Sequence, residues 1–138
     1  MFDAMEITRR LPHRYPFLMV DSVESVEPGL RAVGVKNITG DNHYAQGVTR
    51  GLSPEVMVLE AMAQVGALAA GNEEGGEARQ GLLAALSGVT FHRRPAVGDR
   101  LVIELEFEAK MGPLVRFKGH ARIGEEVAAE ATLTFSVG

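Results

Sequence analysis

The sequence predicts an α+β fold in which one long helix packs against an antiparallel sheet of five to seven strands. The first indication is the stretch of residues 56–70, which is almost entirely apolar and long enough for a buried helix. The second is a set of segments rich in β-branched and aromatic residues with alternating apolar positions. With 138 residues and 46% hydrophobic content, we expect one domain spanning residues 1–138.

The N-terminal part of the chain predicts a short helix and two strands. Residues 5–11 favour a helix that ends before a proline, because the residue preceding proline avoids helical geometry. Residues 17–26 and 30–38 are β-prone, and Pro28 with Gly29 marks the turn between them.

The long helix has clear start and stop signals. Ser53 is a good N-cap and Pro54 suits the first turn, while Gly71 is typical of a helix end. The polar, acidic and glycine-rich residues 72–81 then predict an exposed, mobile loop.

Three β-prone segments close the chain. They cover residues 81–93, 99–110 and 114–135, and a turn at Gly124 divides the last of them into two strands. Alternation is plain at Leu101, Ile103, Leu105 and Phe107, which would share one face of a strand.

Composition excludes several classes of function. The formal charge is −4, with 14 basic and 18 acidic residues mixed along the chain, so we expect no nucleic-acid partner. There is no cysteine for a disulfide or a thiolate, and we expect no metal or other cofactor.

The first apolar run is too short for a signal peptide, and the long helix falls short of the ~20 residues that span a bilayer. A cytoplasmic protein without a membrane partner is the expectation.

Glu60 is the main candidate for chemistry, since it is the carboxylate in the middle of the apolar helix. Burying an unpaired carboxylate costs several kcal/mol, so such a group usually has a function. Gln64 follows one turn later on the same helix face and would present its amide to the same volume. The alternative explanation of Glu60 is purely structural: a buried carboxyl held by hydrogen bonds to Gln64 or to the backbone.

Several motifs together resemble one family over nearly the whole chain. They are residues 11–21 (Leu-Pro-His-Arg-Tyr-Pro-Phe-Leu-Met-Val-Asp), residues 60–64 (Glu-Ala-Met-Ala-Gln), residues 91–101 (Phe-His-Arg-Arg-Pro-Ala-Val-Gly-Asp-Arg-Leu) and the closing strands of residues 117–131. This pattern resembles the 3-hydroxyacyl-acyl-carrier-protein dehydratases of fatty-acid synthesis. The resemblance implies a hotdog fold and a homodimer with active sites at the subunit interface. A trimer of dimers is also implied, as are thioesters of acyl carrier protein or coenzyme A as ligands.

In that family a histidine on the loop before the helix acts as base on C2 of the acyl thioester, and the helix glutamate of the other subunit helps to expel the 3-hydroxyl as water. Glu60 matches the glutamate. The loop departs from the family pattern Gly-His-Phe-Pro-Gly-x-Pro-x-x-Pro-Gly-Val, because residues 47–56 read Gly-Val-Thr-Arg-Gly-Leu-Ser-Pro-Glu-Val. Val48 therefore stands in place of the histidine, and Glu55 in place of a glycine.

His43 is the nearest histidine in sequence and is the candidate for a relocated base, although its odd spacing from Val48 would direct it to the opposite face of an extended segment. The resemblance also predicts substrate contacts from the loop, the helix start and the helix amide: Val48, Gly51, Pro54, Glu55, Val56 and Gln64. Arg93 and Arg94 are predicted either to meet an acidic carrier protein or to form a solvated strand edge.

Three functions remain open. The leading hypothesis is a dehydratase acting on acyl thioesters, with its usual base replaced or relocated. The second is a hotdog thioesterase in which Glu60 activates water or attacks the thioester carbonyl. The third is a non-catalytic homologue that binds acyl chains or pairs with an active subunit.

Overall fold

A computed structural model describes residues 20–38, 54–74, 77–79 and 81–137. In chain order its elements are β1 (Ser22–Glu27), β2 (Arg31–Asn37), α1 (Pro54–Ala70), β3 (Asn72–Glu74), β4 (Glu77–Arg79), β5 (Leu82–Phe91), β6 (Arg100–Met111), β7 (Leu114–Ile123) and β8 (Glu126–Ser136). Six strands form one antiparallel sheet in the order β1-β2-β6-β7-β8-β5. The predicted α+β architecture is confirmed.

The helix α1 lies close against one face of this sheet. Leu101, Ile103 and Leu105 of β6 are fully buried in the same cluster as the buried residues of α1. Glycines permit the close approach: a Cβ at Gly34 would lie 2.7 Å from Cγ2 of Val65, and one at Gly66 would lie 2.4 Å from Cζ of Phe135. The helix therefore packs directly on the sheet at these glycines.

Two predictions of secondary structure are wrong. Residues 72–81 were expected to form a mobile loop, but β3 and β4 pair there as an antiparallel hairpin, with Asn72 opposite Arg79. The sequence between the two strands is Gly-Gly, which is typical of tight hairpin connections, and the acidic composition concealed this signal.

The strand expected at residues 17–26 begins only at Ser22. The Asp21 carboxylate accepts a hydrogen bond of 2.6 Å from the backbone N–H of Asn37, so this position anchors the end of β2. The short helix expected at residues 5–11 lies outside the described residues.

A charged cluster cross-links three strands on the sheet face opposite α1. Glu104 of β6 pairs with Arg31 of β2, and its other oxygen lies 3.2 Å from Nε2 of His120 on β7. Burial of the Glu104 side chain raises its pKa, but its hydrogen bonds with Arg31 and Glu106 and the charges of Arg31 and His120 outweigh this effect. The net result is a pKa for Glu104 below its usual value.

The depressed pKa makes Glu104 a source of acid sensitivity. Its stabilisation is complete above the unfolded-state pKa of 4.5 and is lost as the pH falls through the lower folded-state value. We expect Glu104→Gln to cost about 1–3 kcal/mol at pH 7, because it leaves Arg31 without its carboxylate, and to cost less at pH 3. Urea unfolding at both pH values measures this difference. The matched control is Glu108→Gln, which removes an exposed pair with Arg116 and should cost less than about 1 kcal/mol at pH 7. Equal losses for Glu104→Gln at the two pH values would contradict the assignment.

Within the described residues, no helix has the length and apolar character needed to cross a membrane.

Candidate functional site

The helix start and end agree with the sequence signals. α1 begins at Pro54, carries Glu55 in its first turn and ends at Ala70, and the N–H of Gly71 donates to the carbonyl of Ala67 over 3.1 Å. An acidic residue in the first turn is favourable because it faces the positive end of the helix dipole.

Glu60 and Gln64 meet on one face of α1, as their spacing predicts. Nε2 of Gln64 donates a long hydrogen bond of 3.4 Å to Oε1 of Glu60. Gln64 is completely buried, whereas Glu60 is only half-buried in the single chain. The buried amide of Gln64 thus helps to orient the Glu60 carboxyl group.

The helix is less enclosed than its apolar sequence indicates. Val56 is 45% exposed, and Leu59, Glu60 and Ala63 are half-buried in the single chain. These residues recur at helical spacing and form one side of α1, which we call the open side. The helix predicted to be buried is therefore only partly enclosed in the isolated chain, because the sheet packs on only part of its surface.

At the helix start the structure joins two residues that the sequence analysis treated separately. Nε of Arg94 lies 2.9 Å from Oε1 of Glu55, and the side chains are 72% and 27% exposed respectively. Arg94 belongs to the segment between β5 and β6, which therefore reaches the first turn of α1. Nothing local in the sequence signals this ion pair, because its partners lie on elements that meet only in the fold.

The neighbouring Arg93 has a different setting. Its guanidinium lies 3.6 Å from Asp99 and 3.6 Å from Glu126, and its side chain is 41% exposed. Asp99 also accepts a hydrogen bond of 2.8 Å from the N–H of Ala96, while its carbonyl accepts one of 2.9 Å from Ile38. Arg93 thus pairs with Asp99, whose backbone hydrogen bond to Ile38 joins the segment before β6 to the end of β2.

The sequence analysis missed a buried cation. Lys36 on β2 is 1% exposed, and burial lowers the pKa of its ammonium group, an effect that the charge of Asp21 partly offsets. Strand alternation was the sequence signal for this burial, because Lys36 shares a strand face with Gly34, which contacts α1. A buried charge therefore lies at the end of the strand that leads towards residues 39–53.

Three predicted site residues, His43, Val48 and Gly51, lie outside the described residues. Pro54 and Val56 are placed at the helix start, half-buried and exposed respectively. Among the residues that the structure describes, no group of three or more His, Asp or Glu side chains could hold a metal ion.

Comparisons with known structures identify the fold. The dehydratase heterocomplex ApeI:P from Xenorhabdus doucetiae matches with a TM-score of 0.72 at 18% identity, over 96% of this chain and 90% of that chain. The uncharacterized protein PH1136 from Pyrococcus horikoshii matches with a TM-score of 0.71 at 18% identity, over 94% of this chain and 92% of its own. The hotdog fold is confirmed by these neighbours.

Sequence comparisons identify the family. The model of the FabA-like domain matches residues 11–132. The 3-hydroxyacyl-[acyl-carrier-protein] dehydratase FabZ of Bacillus pumilus is 43% identical over 100% of this chain and 97% of its own length. The protein of that name from Pelotomaculum thermopropionicum is 41% identical over 99% of both chains. The long helix with its Glu60–Gln64 pair, the antiparallel sheet that packs on it and this full-length identity make the chain a member of the FabA-like family of 3-hydroxyacyl-[acyl-carrier-protein] dehydratases.

Proposed function

We propose that this protein is a hydro-lyase of fatty-acid biosynthesis that converts 3-hydroxyacyl thioesters of acyl carrier protein into trans-2-enoyl thioesters and water. The observation that carries the proposal is the full-length identity of about 40% with dehydratases of that activity. The Glu60–Gln64 pair supports it, because a half-buried carboxyl oriented by a buried amide is suited to proton transfer.

In the proposed reaction, a base takes the proton from C2 while the bond between C3 and its hydroxyl oxygen breaks. Glu60 donates its proton to the departing hydroxyl, which leaves as water, and the C2–H electron pair becomes the new double bond. Gln64 holds the Glu60 carboxyl in position. We propose that backbone N–H groups in the first turn of α1, which follow Pro54 and include that of Val56, polarise the thioester carbonyl.

His43 is our proposed base, since Val48 occupies the position where the family carries its histidine. Val48 and Gly51 are proposed as substrate contacts on the same loop. We expect His43→Ala to lower the rate about 10²- to 10⁴-fold if His43 acts as base. A smaller loss would assign the base to another group.

A homodimer formed through β5 is the proposed assembly. This strand has ten residues, lies at an edge of the sheet and is exposed almost throughout. Its exposed apolar side chains are Leu82, Leu83, Leu86 and Val89. A long apolar edge with unpaired backbone groups favours pairing with a second strand, so two copies of β5 would join the two sheets into one. A trimer of such dimers is the larger assembly that we propose.

Acyl carrier protein is the proposed carrier and coenzyme A thioesters are the alternative substrates, in the cytoplasm. Of the two arginines predicted to contact the carrier, Arg94 is the better candidate. It is the more exposed, whereas Arg93 lies between two carboxylates of its own chain.

The decisive experiment incubates the purified protein with 3-hydroxybutyryl and crotonyl thioesters of acyl carrier protein and of coenzyme A. Enoyl absorbance and free thiol are followed in the same sample. We expect the absorbance to change without thiol release. Release of thiol would instead identify a thioesterase, and the absence of both signals, with longer acyl chains also inert, would identify a non-catalytic homologue.

A further inference from the structure

Arg94 is an exposed cation at the start of α1, and it forms an ion pair with Glu55 of the same chain. The two side chains make a contact of 2.9 Å, and Arg94 remains 72% exposed. An exposed pair of this kind contributes only about 0–1 kcal/mol, so a stronger anion can replace the carboxylate. Arg94 is therefore held by an exchangeable partner.

Glu55 also changes the electrostatics of the helix end. The first turn of a helix carries a partial positive charge that attracts anions, and Glu55 lies in that turn. Its carboxylate offsets both this partial charge and the guanidinium of Arg94. An anionic ligand that approaches the start of α1 thus meets a weaker positive potential than Arg94 alone would provide.

Arg93 provides an internal comparison. It is adjacent in sequence but lies within 3.6 Å of both Asp99 and Glu126, so displacing one carboxylate leaves the other. Arg94 has one ion-pair partner among the described residues, and this partner belongs to the helix that carries Glu60. The two arginines are therefore unequal, and of the two only Arg94 has an ion pair with a residue of α1.

We propose that Glu55 is a built-in competitor for the anion that Arg94 binds, and that this anion is the phosphate of the phosphopantetheine arm that carries the acyl chain. The inference rests on the proposed function, because that function supplies the arm. When the phosphate binds, it takes the place of the Glu55 carboxylate on Arg94. Glu55 thereby weakens the binding of the carrier arm, and it does so most strongly at low salt.

The test compares two stable ligands that differ only in the phosphate: a thioether analogue of S-butyryl phosphopantetheine and the same analogue of pantetheine. Their dissociation constants are measured by calorimetry at low salt. We expect Glu55→Gln to tighten binding of the phosphorylated ligand about 3- to 10-fold and to leave the other ligand unchanged. The gain should shrink at high salt, where exposed charges are screened.

The double variant separates competition from simple repulsion. If Glu55 acts by occupying Arg94, Glu55→Gln gives no gain in the Arg94→Gln background, whose affinity for the phosphorylated ligand is already reduced. An equal gain in both backgrounds, or for both ligands, would overturn the proposal. Glu126→Gln, which removes one carboxylate from Arg93, is the matched control and should leave both affinities unchanged.

Binding is measured without turnover, so the two proposals fail separately. A protein that shows no dehydration but retains the phosphate-dependent gain would refute the proposed function and leave Glu55 as the competitor. A dehydratase without that gain would refute the competition alone. If neither ligand binds any variant, the phosphopantetheine arm is not the partner of Arg94.

Discussion

Replacing Glu60 with Gln is expected to lower the rate of dehydration about 10²- to 10⁴-fold while the protein stays folded and keeps its oligomeric state. The amide retains the size of the carboxyl group and can still contact Gln64, but it has no acidic proton to give to the departing hydroxyl. The kcat/KM for 3-hydroxyacyl thioester, measured from enoyl absorbance, gives the effect directly.

The competing explanation of Glu60 is purely structural, as a carboxyl that hydrogen-bonds Gln64. It predicts a change in the melting temperature with kcat close to the wild-type value. Glu108→Gln serves as the control, because it removes an exposed carboxylate of the sheet and should leave both quantities unchanged. If Glu60→Gln retains activity within about threefold of wild type, Glu60 has no part in proton transfer.

The second large effect is expected at the sheet edge. Leu86→Lys should weaken the homodimer about 10²- to 10⁴-fold, because the two-fold axis introduces the charge twice into an interface that excludes water. Leu86 lies on β5 opposite Leu133, and its side chain is exposed in the single chain, so the monomer itself has little reason to unfold. Sedimentation equilibrium over a range of concentrations measures the dissociation constant.

Val97→Lys is the matched control for the edge variant. Val97 is also an exposed apolar residue, but it lies in the segment between β5 and β6. We expect this variant to remain a dimer. A Leu86→Lys protein with unchanged association would place the interface elsewhere on the molecule. If the active sites lie at the β5 interface, dehydration should decline in parallel with dimer dissociation.

Local patterns in the sequence predicted most of the secondary structure and the central pair of the site. Pro54 and Gly71 bound the long helix as their local conformational preferences require. The spacing of Glu60 and Gln64 placed both on one helix face, where the structure shows them in contact. These features depend on residues within a few positions of each other, which is why the sequence alone was enough.

The tertiary structure decided which distant residues meet. Arg31 and Glu104 are 73 positions apart, and they pair because β2 lies beside β6 in a strand order that no local pattern encodes. The same fold leaves β5 at an edge of the sheet, brings Arg94 to Glu55 and buries Lys36. The sequence by itself thus determined the long helix, the strands of the six-stranded sheet and the Glu60–Gln64 face, because helix and strand periodicities are local. Only the folded sheet decided which residues form ion pairs, that Lys36 is buried and that β5 lies at an edge. Each of these depends on the register and order of strands that are far apart in the chain.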